Sequence, residues 1–423
     1  MAALGDAMFH RLTQDVLREV ERHRLAMSTA SFVRNEDKGA PPVARLLDFI
    51  LAAAAEMGAS DVHFEPQTDV VRIRYRVDGL LQEWQEPLVK KVFAVFLSRV
   101  KVLAHMNVSE QRRPQDGQLS FLYEGKRMDV RVATMPTALG ECLVLRLLAH
   151  GGAVLSLARL GLSPEDEARL GRLIRAPAGF LLLAGPMGAG KTTTLYAVLA
   201  AMQGDEEKIV TLDDPVEYLL PGLTQVPIRE EIGLTFAEAL RHALRLDANV
   251  LAIGETRDEV TAEISLRAAL TGHRVLTTLH AEDVCTAVLR LLEMGVPPYL
   301  LAATLKGAVA QRLVRGICPH CRESYTAGAA EVALFGEEMR GKTLARGRGC
   351  AACHGTGYRG RIALFEVLAV DEGFSAAVLA GARLSELRRF ARAAGLRPLL
   401  LDGRRRVLAH ETTAAEVARV LYG

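Results

Sequence analysis

A chain of 423 residues, 50% hydrophobic and 24% charged, has the composition of a globular protein with room for about two to four domains. Its 52 basic and 50 acidic residues leave a net charge of +2, which gives no bulk drive toward nucleic acid, and no apolar run approaches the roughly 20 residues of a membrane span. Met1 to His10 lacks the basic head and apolar core of a secretion signal, so the expectation is a cytoplasmic chain without structural disulfides.

Residues 1–40 read as an amino-terminal helix, to about residue 26, and a polar linker, Ser28 to Ala40, ending at Pro41-Pro42. Val43, Leu46, Leu47, Ile50, Leu51 and Ala54 then recur at helical spacing until Gly58 closes the helix. Val71 to Val77 alternates strictly. It predicts a strand with Val71, Ile73, Tyr75 and Val77 on one face and Arg72, Arg74 and Arg76 on the other. A helix over about 87–106, a hairpin of strands near 119–123 and 128–133 turning through Gly125, and a strand over 141–148 complete a small α+β domain, residues 41–150.

Residues 151–162 read as a linker, and Ser163-Pro-Glu-Asp166 is a capping box that opens the next region. Strands near 180–184, 208–213, 249–254 and 274–279 alternate with helices near 191–203, 235–246, 257–271 and 283–294. Such alternation of short apolar strands with helices predicts an α/β fold over 163–315. Its parallel sheet is covered on both faces, and a ligand lies at the carboxyl ends of the strands.

The apolar run Phe180 to Ala184 leads into Gly185-Pro186-Met187-Gly188-Ala189-Gly190-Lys191-Thr192, with Thr193 and a helical stretch after it. Strand, glycine-rich turn and helix start together make the phosphate-binding loop of a nucleoside triphosphatase. The glycines let backbone N–H groups converge on phosphates without Cβ clashes. Lys191 can reach the β- and γ-phosphates and the Thr192 hydroxyl can bind Mg²⁺, so ATP and Mg²⁺ are the expected ligands.

Two further apolar strands end in carboxylates, at Asp213-Asp214 and at Glu255. Glu255 is assigned to orienting the attacking water and the Asp213/Asp214 pair to ordering metal and water; the ordinary alternative is a solvated acid or a helix cap. His273 and His280 bracket the strand 274–279, and each is a γ-phosphate sensor or simply a packed or surface residue. Arg241 and Arg245, four apart after the capping box Thr235-x-x-Glu238, line a nucleotide site or a subunit contact, or form a solvated basic face.

Cys318-Pro-His-Cys321 and Cys350-Ala-Ala-Cys353 are two C-x₂-C knuckles with 28 residues between them. Two such turns present four thiolates in the tetrahedral shell that suits Zn²⁺. A redox pair needs only one knuckle and leaves the second unexplained. Residues 316–360 therefore read as a four-cysteine zinc module, with a helical excursion near 327–340; His320 and His354 are weaker ligand candidates. Cys142 and Cys285 sit in apolar or helical runs as ordinary packed residues, and residues 361–423 read as a helical carboxyl-terminal subdomain.

Together these segments resemble the secretion ATPases of type II secretion and type IV pilus assembly. The likeness runs from Pro41 to Gly423 through Ala59-Ser-Asp-Val-His-Phe-Glu-Pro66, Arg113-Pro-Gln-Asp-Gly117, Asp129-Val-Arg-Val-Ala-Thr-Met-Pro136, the phosphate loop, Asp213-Asp-Pro-Val-Glu217, Gly254-Glu-Thr-Arg-Asp258, Leu270-Thr-Gly-His273, Thr278-Leu-His280, the cysteines and Gly357-Tyr-Arg-Gly-Arg361. The resemblance implies a RecA-like ATPase core preceded by a mobile, PAS-like small domain. It implies a homo-hexamer on the cytoplasmic face of the inner membrane, peripherally bound and acting on a membrane platform protein, with a membrane-anchored docking protein as a further partner left open. Hydrolysis would drive pilin-like subunits into a growing filament. Asp213 then falls in the family's Asp box, Glu255 matches its Walker B glutamate, and His273 and His280 its His box. Arg113 and Arg131 fall where family members carry arginines that reach nucleotide phosphate.

Type II secretion is the favoured role, with pilus assembly or competence as the alternative within the family. Retraction motors generally lack the four cysteines. A nucleic-acid translocase finds support only in the arginine stripe, and a non-hydrolysing scaffold only in departures from the family pattern. Those departures are Asp213 in place of a Glu, Gln118 in place of an Arg, and Asp247-Ala-Asn249 in place of Asp-Pro-Asp. About 40 residues precede the small domain, fewer than secretion members often carry, which leaves the docking partner open.

Overall fold

The computed structural model describes residues 2–26, 41–83, 86–148, 156–204 and 206–423. The expected linker Ser28–Ala40 and the first part of the second linker, 151–155, lie outside them. The chain forms two compact units, Met1–Gly152 and Ala153–Gly423.

The first unit begins with helix α1 (Ala2–Ala26) and helix α2 (Pro42–Glu56), then strands β1 (Ala59–Pro66), β2 (Val70–Val77), β3 (Leu80–Glu83) and β4 (Leu88–Val89). Helix α3 (Lys90–Leu103) and strands β5 (Gln115–Tyr123), β6 (Lys126–Thr137) and β7 (Gly140–Leu148) follow. Its sheet is antiparallel, in the order β3-β2-β1-β7-β6-β5, with β4 on β2. The alternation of β2 holds: Val71, Ile73, Tyr75 and Val77 are buried with Val62 and Phe64 of β1 and with Leu46, Ile50, Phe93 and Phe96 of α2 and α3. Phe9, Leu12 and Val16 dock α1 onto the same core.

The arginine stripe of β2 is not a free basic face. Arg72 and Arg74 both pair with Glu65 of β1, and Arg76 lies 3.6 Å from Asp61. Asp61 also accepts from Arg146 Nε at 2.7 Å, and the ladder sets Arg131 between Arg146 and Gln118. One register row thus reads Arg76, Asp61, Arg146, Arg131, Gln118 across five strands.

The second unit is built on a seven-stranded sheet whose strands lie in the order Thr224–Pro227, Ile209–Asp213, Val250–Ile253, Arg274–Leu279, Gly179–Ala184, Leu305–Ile317, Tyr358–Ala369. Helix α4 (Pro164–Ile174) starts at the Ser163 cap, whose hydroxyl accepts from Asp166 N–H at 3.2 Å. Strand β8 (Gly179–Ala184), helix α5 (Lys191–Met202), strands β9 (Ile209–Asp213) and β10 (Thr224–Pro227), helix α6 (Phe236–Ala243), strand β11 (Val250–Ile253), helix α7 (Glu259–Leu270), strand β12 (Arg274–Leu279) and helices α8 (Val284–Glu293) and α9 (Pro298–Thr304) come next. Successive residues of β8 face opposite layers: Phe180 and Leu182 join one core, Leu181 and Leu183 the other. That two-sided burial is why the strand reads as an unbroken apolar run.

The four expected strands are parallel, and the sheet continues beyond them to an antiparallel edge. Strand β13 (Leu305–Ile317) runs parallel to β8, but β16 (Tyr358–Ala369) returns antiparallel along it from Ile317↔Tyr358 to Gly307↔Ala369. The residues between them carry strand β14 (Arg322–Thr326), helix α10 (Ala329–Phe335) and strand β15 (Thr343–Gly347), with β14 and β15 paired in a two-stranded ribbon. The expected boundary at residue 360 falls inside β16, so the helical end of the chain starts only at Glu372. It comprises α11 (Glu372–Leu379), α12 (Leu384–Ala393), α13 (Leu399–Leu408) and α14 (Ala414–Tyr422).

Helix α14 is held by a buried carboxylate. Glu416, 1% exposed, accepts from Arg315 Nη2 at 2.7 Å and from Arg419 Nη2 at 2.6 Å. Burial alone would raise its pKa, but the two guanidinium groups bring it from 4.5 down to about 2. A carboxyl depressed in the folded chain contributes fully above its unfolded value and loses that contribution as pH falls toward about 2. The shift corresponds to roughly 3 kcal/mol at neutral pH. Glu416→Gln should therefore destabilise the unit by roughly 2–3 kcal/mol at pH 7 and flatten its acid unfolding between pH 4.5 and 2. Denaturant titration across that range checks it, and a variant as stable as wild type at pH 7 would count against it.

Candidate functional site

The phosphate loop joins the carboxyl end of β8 to α5. Gly188 and Gly190 adopt φ of 73° and 85°, left-handed values that a Cβ would strain. Gly190 is the residue before α5, so the first N–H groups of that helix open toward the loop. Pro186, Met187, Gly188, Thr192 and Thr193 are exposed, while Ala189 is buried beneath the loop. Lys191 is folded back, its Nζ donating to the Gly185 and Pro186 carbonyls at 2.9 and 3.2 Å. Burial pushes its pKa down to about 8; Glu255 opposes that and Arg312 adds to it.

Parallel pairing of β11 with β12 aligns Ile253 with Thr277, so both strands end at the same edge. There the Thr278 hydroxyl donates to the Gly254 carbonyl at 2.6 Å and Thr256 N–H to the Thr278 carbonyl at 3.0 Å. These bonds set Glu255 beside His280. His280 Nε2 lies 3.1 Å from Glu255 Oε1 and its Nδ1 lies 3.3 Å from Lys191 Nζ. An ammonium can only donate, so Nδ1 accepts and the Nε2–H donates to the carboxylate, which is the neutral ring. Burial and Lys191 lower the His280 pKa in agreement with that form. Glu255 Oε2 takes Arg257 Nε at 3.2 Å, and Arg257 Nη1 reaches Asp214 Oδ2 at 3.3 Å.

A polar chain therefore runs Lys191, His280, Glu255, Arg257, Asp214 across the mouth of the loop. The sequence reading gave no role to Arg257, though it stands in the quoted segment Gly254-Glu-Thr-Arg-Asp258. It missed Gln311 as well. That residue, in β13, is 2% exposed, and its amide Nε2 donates to the Ala189 carbonyl.

Other expected residues are not members of this polar chain. Asp213 is 3% exposed; burial raises its pKa, and the Thr211 hydroxyl donates to its Oδ2. Only Asp214 of the pair reaches the polar chain. His273 precedes β12, at the end of the sheet opposite the loop, with Nδ1 3.1 Å from the Ala268 carbonyl. Arg241 is exposed on α6 and paired with Glu238 at 3.2 Å. Because α6 ends at Ala243, Arg245 lies beyond it rather than on its face. Arg113 and Arg131 belong to the first unit: Arg113 is exposed before β5 and Arg131 is half-buried in β6.

The four cysteine sulfurs lie within 4.8 Å of one another. Three of the separations are Cys318–Cys350 3.9 Å, Cys321–Cys353 3.8 Å and Cys350–Cys353 3.7 Å. Disulfide sulfurs stand about 2 Å apart, whereas a tetrahedron with metal–sulfur bonds of about 2.3 Å has edges near 3.8 Å. Backbone N–H groups of Gly349 and Gly357 point at Cys321 and Cys353 Sγ at 3.3 and 3.2 Å, as thiolate sulfurs require. The set fits a tetrahedral metal. Cys285 is buried in α8 and Cys142 half-buried in β7, both outside the cluster.

A glycine-rich loop between strand and helix, at the carboxyl edge of parallel strands with an acid at the tip of the strand two places away, defines a phosphate-loop nucleotide-binding α/β protein. The chain belongs to the type II/IV secretion system protein family, whose model matches residues 36–419. It is 43% identical to type II secretion system protein E of Pseudomonas aeruginosa over 93% of this chain and 78% of that one. It is 41% identical to the type IV pilus assembly ATPase PilB of Myxococcus xanthus, over 89% of this chain and 67% of the relative. Its fold is similar to that of the Legionella pneumophila ATPase DotB, with a TM-score of 0.66 at 19% identity over 91% of this chain and 97% of that one. Among the described residues no helix is long and apolar enough to cross a membrane.

Proposed function

We propose that this chain is an ATP-hydrolysing motor of type II secretion, acting as a homo-hexamer at the cytoplasmic face of the inner membrane on a platform protein. The observation that carries the reading is the polar chain from Lys191 to Asp214 at the mouth of the phosphate loop. It supplies in one place a cation for phosphate, a carboxylate for water and a neutral imidazole between them. Similarity to secretion protein E over most of the chain supports the cargo side of the proposal.

On this reading the RecA-like core binds ATP across the loop. Lys191 leaves the Gly185 and Pro186 carbonyls for the β- and γ-phosphates, which releases His280 Nδ1. Glu255, still held by His280 and Arg257, orients the attacking water, and Asp214 steadies Arg257. Thr192, with Asp213 and Asp214 through water, would hold Mg²⁺, which supplies charge neutralisation on the phosphates. The exposed Arg241 and Arg245, and His273 at the opposite end of the sheet, suit a subunit contact. Cys318, Cys321, Cys350 and Cys353 would hold a structural Zn²⁺.

Purified hexamer should hydrolyse ATP, and the cytoplasmic domain of the platform protein should stimulate it. Lys191→Ala should reduce nucleotide binding and secretion to background. Stimulation by DNA and not by the platform domain would overturn the assignment.

A further inference from the structure

Gln311 is a buried polar side chain with one half of its amide unused. Its Nε2 donates to the Ala189 carbonyl in the phosphate loop, yet its Oε1 is buried and meets no donor among the described residues. The amide cannot turn over to relieve this, because its oxygen would then face the Ala189 oxygen. A methionine or leucine would remove that unpaired acceptor but would leave the Ala189 carbonyl without its Gln311 donor. A polar group kept at such a cost calls for an explanation beyond packing.

The register supplies one. Ala310 of β13 pairs with Ala184, the last residue of β8, so Gln311 stands level with Gly185, where the loop begins. A Cβ at Gly185 would come within 2.9 Å of the Gln311 carbonyl oxygen, and one at Gly190 within 2.9 Å of Gln311 Nε2. Residue 311 of the neighbouring strand thus lies against the start of the loop with its backbone and against its Ala189-Gly190 end with its side chain. At Gly190 the Gln311 side chain leaves no room for a Cβ, while at Gly185 the Ala189 Cβ at 2.8 Å and the backbone carbonyl of residue 311 do so together.

We propose that Gln311 is a positioning residue for nucleotide binding, holding the phosphate loop in its cradle shape through the Ala189 carbonyl. This rests on the ATPase reading. The residue touches no phosphate itself; it fixes the curvature that aims the loop's N–H groups at one point.

The test measures affinity for a fluorescent ADP analogue, KM and kcat for ATP, and nucleotide-free melting, in wild type, Gln311→Met and Gln311→Glu. Gln311→Met keeps the shape and loses the donor. It should melt within a few degrees of wild type, bind the analogue about tenfold more weakly and raise KM in proportion, with kcat changed less than about threefold. Gln311→Glu at pH 8 presents a carboxylate to the Ala189 carbonyl and should bind weaker still. A buried glutamate protonates readily, and its neutral form can donate, so affinity relative to wild type should recover by pH 6. The neighbouring charges of Lys191 and Arg312 are common to all three chains. Wild-type affinity in Gln311→Met overturns the proposal while leaving the ATPase intact, and it decides the matter if Gln311→Glu does not fold. A Glu-to-wild-type affinity ratio that is flat with pH also overturns it. A wild-type chain that binds no nucleotide removes this proposal and the ATPase reading together.

Discussion

Glu255→Gln should lower kcat for ATP by about a hundredfold to ten-thousandfold while leaving ATP affinity within a few fold of wild type. The two side chains have the same shape, and the amide oxygen can still accept from His280 Nε2, 3.1 Å from Glu255 Oε1. What is lost is the charge that polarises an attacking water and anchors Arg257 at 3.2 Å. The amide nitrogen would now face a guanidinium, so Arg257 should lean toward Asp214, its remaining acid at 3.3 Å. Lys191 binds the loop carbonyls independently of that carboxylate, which is why affinity should persist. Single-turnover hydrolysis beside analogue binding separates the two effects. Unchanged hydrolysis in the variant would remove Glu255 from the proposed mechanism, and a wild-type hexamer that never hydrolyses ATP would leave a nucleotide-binding scaffold.

The second large effect concerns the cysteines. Protein purified without chelator should carry about one zinc per chain. Structural zinc contributes roughly 10–16 kcal/mol in small domains, as much as or more than the whole stability of a typical one. Its removal should therefore melt residues 316–360 rather than loosen them slightly. Hydrogen exchange after chelation should show amides near Cys318, Cys321, Cys350 and Cys353 losing protection by orders of magnitude, while those of β8 and α5 keep theirs and nucleotide still binds. Cys321→Ser should reproduce the effect without chelator. Metal analysis that finds no zinc would dispose of the claim.

Much of the second unit was legible because its strands are buried on both sides. Phe180 to Ala184 and Val250 to Ile253 are continuous apolar runs that only a sheet covered by helices accommodates. The phosphate loop and the C-x₂-C knuckles were legible because their chemistry fixes residue type and spacing. Strand β13 was not. Its Lys306, Gly307, Gln311, Arg312 and Arg315 break every hydrophobic period, since one stretch packs on α4, one supports the loop and one pairs with Glu416. Missing β13 hid its antiparallel partner β16, and with it the mixed character of the sheet. Strand β1 was obscured by Asp61, His63 and Glu65, which face arginines across the ladder and not solvent alone. In the site, Arg257 and Gln311 carry no period or spacing signal; only the register of the four strands β11, β12, β8 and β13 brings them to the loop. The position of His273 depended on strand direction: six residues of β12 separate it from His280, about 20 Å of extended chain.

The cysteine-bearing excursion leaves the sheet at Ile317 and rejoins it at Tyr358, residues that sit opposite each other in one ladder. By length alone, a tight reverse turn could replace the whole detour. Packing forbids so simple a deletion. Phe335, Met339 and Leu344 from the detour lie in one buried cluster with Leu399, Val407 and Val417 of the final helices. Excision would leave that cluster bare on one side, so the detour and the tail depend on each other for burial. A descendant that discarded the cysteines would have to repaint the inner faces of α13 and α14 with polar residues or lose them too.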